Sequence, residues 1–181
     1  MVAVGLVHAA YLTTAVPSIA KASSPISTTV GSTTLPPAVS GMRDAILEAV
    51  QSGRLEDLKA ALDLNELKPE LAAVPVADPI AFWRAASSDG QGQAVLAALG
   101  VLFDLPHTVL PLGKDPENTG LYVWPAFAER SLHSLTAAED TDLIKLEAPA
   151  KIAIMKASGR YTGWRLVIGA DGVWHSFRRY D

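Results

Sequence analysis

The chain has no cysteine among its 181 residues. That absence excludes disulfides, thiolate zinc sites, cysteine nucleophiles and a lipidated N-terminal Cys together. Catalytic signatures are missing too. There is no G-x-S-x-G elbow, and His107, His133 and His175 show no HxxxH or HxH spacing. Gly90-Gln91-Gly92 precedes a helical pattern but no strand leads into it, so the phosphate-loop motifs do not match. Asp115, Glu117 and Asn118 cluster oxygen atoms without the alternation of a calcium loop. The sequence therefore implies no metal and no cofactor. An acidic balance of −4 argues against nucleic acid as a partner.

Long apolar runs are also scarce. The longest uncharged one, Val2–Val16, has about fifteen residues, too few to span a bilayer comfortably. It is followed by Pro17 and by Ala20-Lys21-Ala22, small residues in the A-x-A arrangement that signal peptidase accepts. Residues 1–22 read as a leader, although no Lys or Arg precedes the apolar run. The alternative is an apolar segment that packs on the domain. Residues 23–41 are rich in Ser, Thr, Pro and Gly, uncharged and without periodicity, as in a linker. Residues 42–181 then form one domain of ordinary size. With the leader removed, no stable membrane span is expected, and the location is periplasmic or secreted.

At 49% hydrophobic the chain has material for a core. Ser40 is the expected N-cap of a helix from Met42 to about Ser52, with Gly53 as its stop. Leu55, Leu58, Ala61 and Leu62 continue as a second helix, so the pair reads as a helical hairpin. Asp78-Pro79 opens a third helix that buries Ile80, Trp83 and Phe82. Gln93–Phe103 is apolar on nearly all faces and reads as the central core helix. Residues 105–120 read as a loop, and Leu121–Phe127 as a short strand confined by Pro125 to an edge or an end. Thr136 with Glu139 forms a capping box for a helix over Leu143, Ile144 and Leu146. Glu139 and Asp140 fall in its first turn, where the helix dipole accounts for them. Pro149–Ala157 is one more helix, ended near Gly159. Trp164–Ile168 and Val173–Phe177 flank Gly169-Ala170-Asp171-Gly172, a strong hairpin signal. The expected fold class is α+β: several N-terminal helices packed on a small antiparallel sheet ending in a C-terminal β-hairpin.

Alternation sorts the hairpin into two faces. Pairing Ala170 with Val173 sets Ile168 against His175 and Leu166 against Phe177. Trp164, Leu166, Ile168, Val173, His175 and Phe177 then form the core side. The other face carries Tyr161, Arg165, Val167, Trp174, Ser176, Arg178 and Tyr180. Arginines among aromatics suit an anionic or saccharide ligand, through stacking and charged hydrogen bonds. Tyr161, Arg165, Trp174 and Arg178 are the expected ligand contacts. Alternatively the arginines simply cover the sheet. Charge is uneven in the same sense: residues 41–150 hold 8 Lys+Arg against 17 Asp+Glu, residues 151–181 hold 6 against 2. The basic end either packs beside the acidic helices or meets an anionic ligand.

Tyr122-Val123-Trp124-Pro125 and the run from Trp164 to Phe177 resemble an uncharacterised family of bacterial exported proteins. The resemblance covers about the last third of the chain. It implies export and a shared fold, and no chemistry. The functional expectation is an exported cell-envelope protein acting as a non-enzymatic binding or interaction module, with an anionic or saccharide envelope ligand or a protein partner. One alternative is a small envelope hydrolase using His175 with a carboxylate. The other is a structural accessory without a small ligand.

Overall fold

A computed structural model describes residues 34–113 and 119–180. The expected leader (1–22), most of the linker, and Asp115, Glu117 and Asn118 lie outside the described residues. The architecture is α+β: six helices and a four-stranded antiparallel sheet in the order β1-β2-β3-β4.

Helix α1 runs Pro37–Ser52, five residues earlier than expected. Pro36 is its N-cap and Pro37 its first residue, so two fixed φ angles start the helix without needing Ser40 as a cap. Ser40 lies inside it, its N–H bonded to the Pro36 carbonyl at 2.9 Å. Residues Pro37–Gly41, the end of the expected linker, are thus helix. Val39, Met42, Ile46 and Ala49 fall on one buried stripe. Gly53, at φ 68°, ends the helix. A 3-10 turn, Leu55–Asp57, leads into α2, Leu58–Leu62.

Helix α3, Pro79–Ala86, is capped by Asp78, whose carboxylate accepts from the Ala81 N–H at 3.0 Å. Trp83 is fully buried; Ile80 and Phe82 are half-buried beside it. Helix α4, Gln93–Asp104, buries Val95, Leu96, Leu99, Leu102 and Phe103, as a central core helix should. Helix α5, Ala137–Leu146, carries the complete Thr136–Glu139 capping box. Its Leu143 is buried, while Ile144 is exposed. Helix α6, Pro149–Ser158, stops at Gly159 in the left-handed region.

Strand β1, Thr108–Pro111, lies inside the stretch read as a loop. Its four residues are too few to show periodicity, and only its partner, β2 at Gly120–Trp124, makes it a strand. Strand β2 is interior, flanked by β1 and β3, so Pro125 marks its end and not an edge. Strands β3, Trp164–Gly169, and β4, Trp174–Arg179, form the expected hairpin.

The hairpin register departs from the expected one at a single place. Leu166 faces Phe177 as expected, but Ile168 faces Trp174 instead of His175. The Gly169 N–H bonds the Val173 carbonyl at 2.9 Å, so the turn keeps Val173 and the next residue, Trp174, meets Ile168. A β-bulge between Val167 and Ile168 then restores the register. His175 is the extra residue there. Two assignments are corrected: Trp174 belongs to the core side and is fully buried, while His175 is exposed.

The main core lies between α1–α4 and one face of the sheet. At its centre Trp83 stacks on Trp174, centroids 5.6 Å apart, and Trp164 stacks on Phe177 at 4.6 Å. Such pairs contribute roughly 0.5–1.5 kcal/mol each beyond their burial. A second cluster, Leu105, Phe127, Leu132, Leu143, Met155 and Tyr161, joins α5 and α6 to the short turns before them. On the opposite side of the sheet, register aligns Thr108, Val123, Val167 and Ser176 in one row of small side chains. Arg165 and Arg178 face each other in the next row on that side.

Candidate functional site

Arg165 and Arg178 are cross-strand partners, a placement that is repulsive unless each charge is compensated. Each is. Arg165 Nε donates to Glu129 Oε1 at 2.5 Å, and Arg178 pairs with Glu70. Tyr180 sits between them. The Arg178 guanidinium lies 4.3 Å from the ring centroid and that of Arg165 5.6 Å, and Arg165 Nη1 donates to the phenol oxygen at 3.4 Å.

The same pairing runs through the whole basic end. Lys151 and Arg179 both meet Glu147, Lys156 meets Asp140, Arg165 meets Glu129 and Arg178 meets Glu70. Complementarity with the acidic helices and turns therefore accounts for five of the six basic residues after position 150. Arg160 is the sixth. It is exposed, and among the described residues its guanidinium has no hydrogen-bond or ionic partner.

Arg160 opens onto a groove of about 550 Å³. Arg130, Arg165, Glu129, Tyr161 and Tyr180 share its lining. The floor comes from distant parts of the chain: the 3-10 turn Ala126–Glu129, the residues after α6, β3 and the C-terminal end. Gly159 makes that meeting possible. At φ 69° it turns the chain out of α6, and its carbonyl accepts from the Leu132 N–H at 2.9 Å, pinning residues 130–132 beside Arg160.

Arg130 pairs with Glu139, but its Nε is buried without an acceptor among the described residues. Tyr161 is 9% exposed, packs edge-on against Phe127 and donates its phenol proton to the Trp164 carbonyl at 2.9 Å. Burial holds its ionisation well above the ordinary tyrosine range, and the nearby Glu147 carboxylate adds to this. It is a fixed, neutral wall of the groove.

Of the four expected ligand contacts, the fold thus brings Arg165 and Arg178 together around Tyr180 and sets Tyr161 at the rim beside Arg165. Trp174 is elsewhere, stacked on Trp83 with its indole N–H bonded to the Ser176 carbonyl at 3.2 Å. Sequence reading missed Glu129, Arg130 and Arg160, which come from turns with no periodicity. The only trace they left was the unevenness of charge.

His175 lines a different groove, with Glu66, Leu67, Glu70 and Val74. Its carbonyl accepts from the Glu70 N–H at 2.8 Å, but among the described residues no carboxylate is hydrogen-bonded to its imidazole. His107 packs against Tyr122 and Trp124, and burial lowers its pKa. His133 lies against Gly159. Among the described residues no three His, Asp or Glu side chains are grouped to hold a metal ion, and no helix is long and apolar enough to cross a membrane. The Gly90-Gln91-Gly92 turn points its N–H groups at the chain's own Asp89, which accepts from Gln91 at 2.6 Å and from Gly92 at 2.8 Å. Those hydrogen bonds hold the Asp89 carboxyl below the usual range.

Compared with known protein families, with curated proteins and with solved structures, the chain matches none.

Proposed function

We propose that this chain is an exported cell-envelope protein, periplasmic or secreted, acting as a non-enzymatic binding module. Its ligand contacts are Arg165, Tyr180 and Arg160, in the groove beside the C-terminal hairpin. One observation carries the reading: among the described residues Arg160 is the single basic residue of the C-terminal stretch without a carboxylate, and it lies on that groove. An exposed arginine beside a concave polar surface can take a planar anion through two parallel hydrogen bonds. Support for export is the apolar run and Ala20-Lys21-Ala22.

The other readings have less support. A hydrolase built on His175 needs a carboxylate on its imidazole, and Glu66 and Glu70, which share its groove, are not bonded to it. An accessory without a small ligand has the exposed Leu64, Leu67 and Val74 in its favour, but leaves Arg160 unexplained.

The test is sedimentation of the pure protein with an isolated bacterial cell-envelope fraction. Arg160→Ala combined with Arg165→Ala is expected to abolish co-sedimentation while thermal stability holds. Unchanged co-sedimentation, or none by the parent protein, would end the reading. N-terminal sequencing of extracellular and periplasmic material tests export: a start at Ser23 is expected, and material found only in the cytoplasm with Met1 intact would refute it.

A further inference from the structure

We infer that the group held in this groove is a single carboxylate on a hydroxylated molecule, as in a sugar acid. The inference rests on the binding reading above and adds the ligand's chemistry to it.

Charge sets the first limit. Arg130, Arg160 and Arg165 are the basic residues of the lining. Glu139 neutralises the first and Glu129 the third. Among the described residues one positive charge remains, on Arg160. A monoanion matches it. A phosphate ester, with close to two negative charges at neutral pH, would bring one charge too many next to Glu129.

Shape sets the second limit. The guanidinium is a planar fork that meets a carboxylate through two parallel hydrogen bonds. Arg160 is free to supply both. Arg130 adds no donor here: its Nε is buried and its guanidinium is paired with Glu139.

The remaining lining suits hydroxyls. Glu129 binds Arg165 through Oε1, and its second oxygen is left to accept from a ligand O–H. The Tyr180 phenol, which accepts from Arg165, is a further polar group at the wall. The guanidinium groups of Arg165 and Arg178 hold the Tyr180 ring and so fix its phenol at the wall.

The test is a titration of the full chain, labelled with 15N, with D-galacturonate, D-galactose and D-galactose 6-phosphate, read by amide shifts. Galacturonate is expected to bind at least tenfold more tightly than galactose and than the phosphate ester. Arg160→Ala is expected to remove that margin, and Arg160→Lys to restore only part of it, since an ammonium keeps the charge but not the fork. Arg160 has no structural partner, so both variants fold. The inference is overturned if galactose binds equally well, if the phosphate ester binds more tightly, if Arg160→Ala binds galacturonate like the parent, or if no probe binds. Co-sedimentation with the envelope fraction that still depends on Arg160 and Arg165 while the probes stay silent would remove the carboxylate and leave the binding reading standing. Loss of that dependence would remove both.

Discussion

Asn65 and the backbone of Trp174 exchange two hydrogen bonds. The side-chain amide donates to the Trp174 carbonyl at 2.8 Å, and its oxygen accepts from the Trp174 N–H at 3.1 Å. One side chain thereby does what a neighbouring strand would do. Further along, the Glu70 N–H bonds the His175 carbonyl at 2.8 Å and the Phe177 N–H bonds the Glu70 carbonyl at 3.0 Å. Together Asn65 and Glu70 close the outer edge of β4, which would otherwise offer free backbone groups to another chain.

Asn65→Ala should therefore destabilise the fold by about 1–3 kcal/mol, because it leaves a backbone donor and acceptor unpaired. Leu64→Ala next to it, at an exposed position, should change stability by about 0.5 kcal/mol or less. Urea denaturation of both variants measures the difference. Equal midpoints would show that water takes the place of the amide without cost.

Trp174 and Arg165 were paired by sequence as ligand contacts, and stability should separate them. Trp174 is fully buried on Trp83, so Trp174→Ala should cost about 3–5 kcal/mol. Arg165 takes part in an ion pair that keeps some exposure on both sides, and Arg165→Ala should cost about 1 kcal/mol or less. Thermal melts followed by tryptophan fluorescence decide this. A Trp174→Ala variant as stable as the parent would contradict the stacked core.

Tyr161 should make stability fall in alkali. Above about pH 10 the unfolded chain releases this proton while the folded chain holds it, through burial and through Glu147. The folded state then binds more protons, so stability decreases as pH rises. Tyr161→Phe removes that contribution, at the cost of the bond to Trp164, and should lose less stability than the parent between pH 9 and pH 11. Denaturation curves at the two pH values test it, and parallel losses in both proteins would refute it.

Gly172→Ala should destabilise by about 1–3 kcal/mol. The residue holds φ 88°, and an added Cβ would stand 2.9 Å from the Ala38 carbonyl oxygen. The turn touches the start of α1 there, so the strain cannot relax locally. Gly41→Ala, where a Cβ meets nothing within 4 Å and the position is helical, should be neutral or slightly stabilising. Comparing the two by denaturant titration checks the contact; equal effects would argue against it.

Local signals were legible wherever the determinant lies within a few residues. The Thr136–Glu139 box, the Asp78-Pro79 start and the Gly53 and Gly159 stops all appear as read. The hairpin appears too, but its turn closes between Gly169 and Gly172 with Gly172 alone at positive φ, and Ala170 does not pair with Val173. Strand β1 was not legible, because its pairing with β2 crosses a connection that carries no pattern. Helix α1 was read five residues short because Ser and Pro residues that suit a linker also suit a helix start.

The candidate site divides in the same way. Its chemical character, arginines beside tyrosines at a basic end of an acidic chain, is a matter of composition and strand alternation, and the sequence alone contains it. Which arginines are spent on carboxylates and which one is left is a matter of three-dimensional proximity. Glu70 and Arg178 are 108 residues apart, Glu129 and Arg165 are 36 apart, and no periodicity links them. The bulge at His175 shows the same limit at the smallest scale: period-two alternation assigns a face only while the ladder is regular. One extra residue, fixed by the stacking of Trp174 on Trp83, moves an aromatic into the core and a histidine out of it.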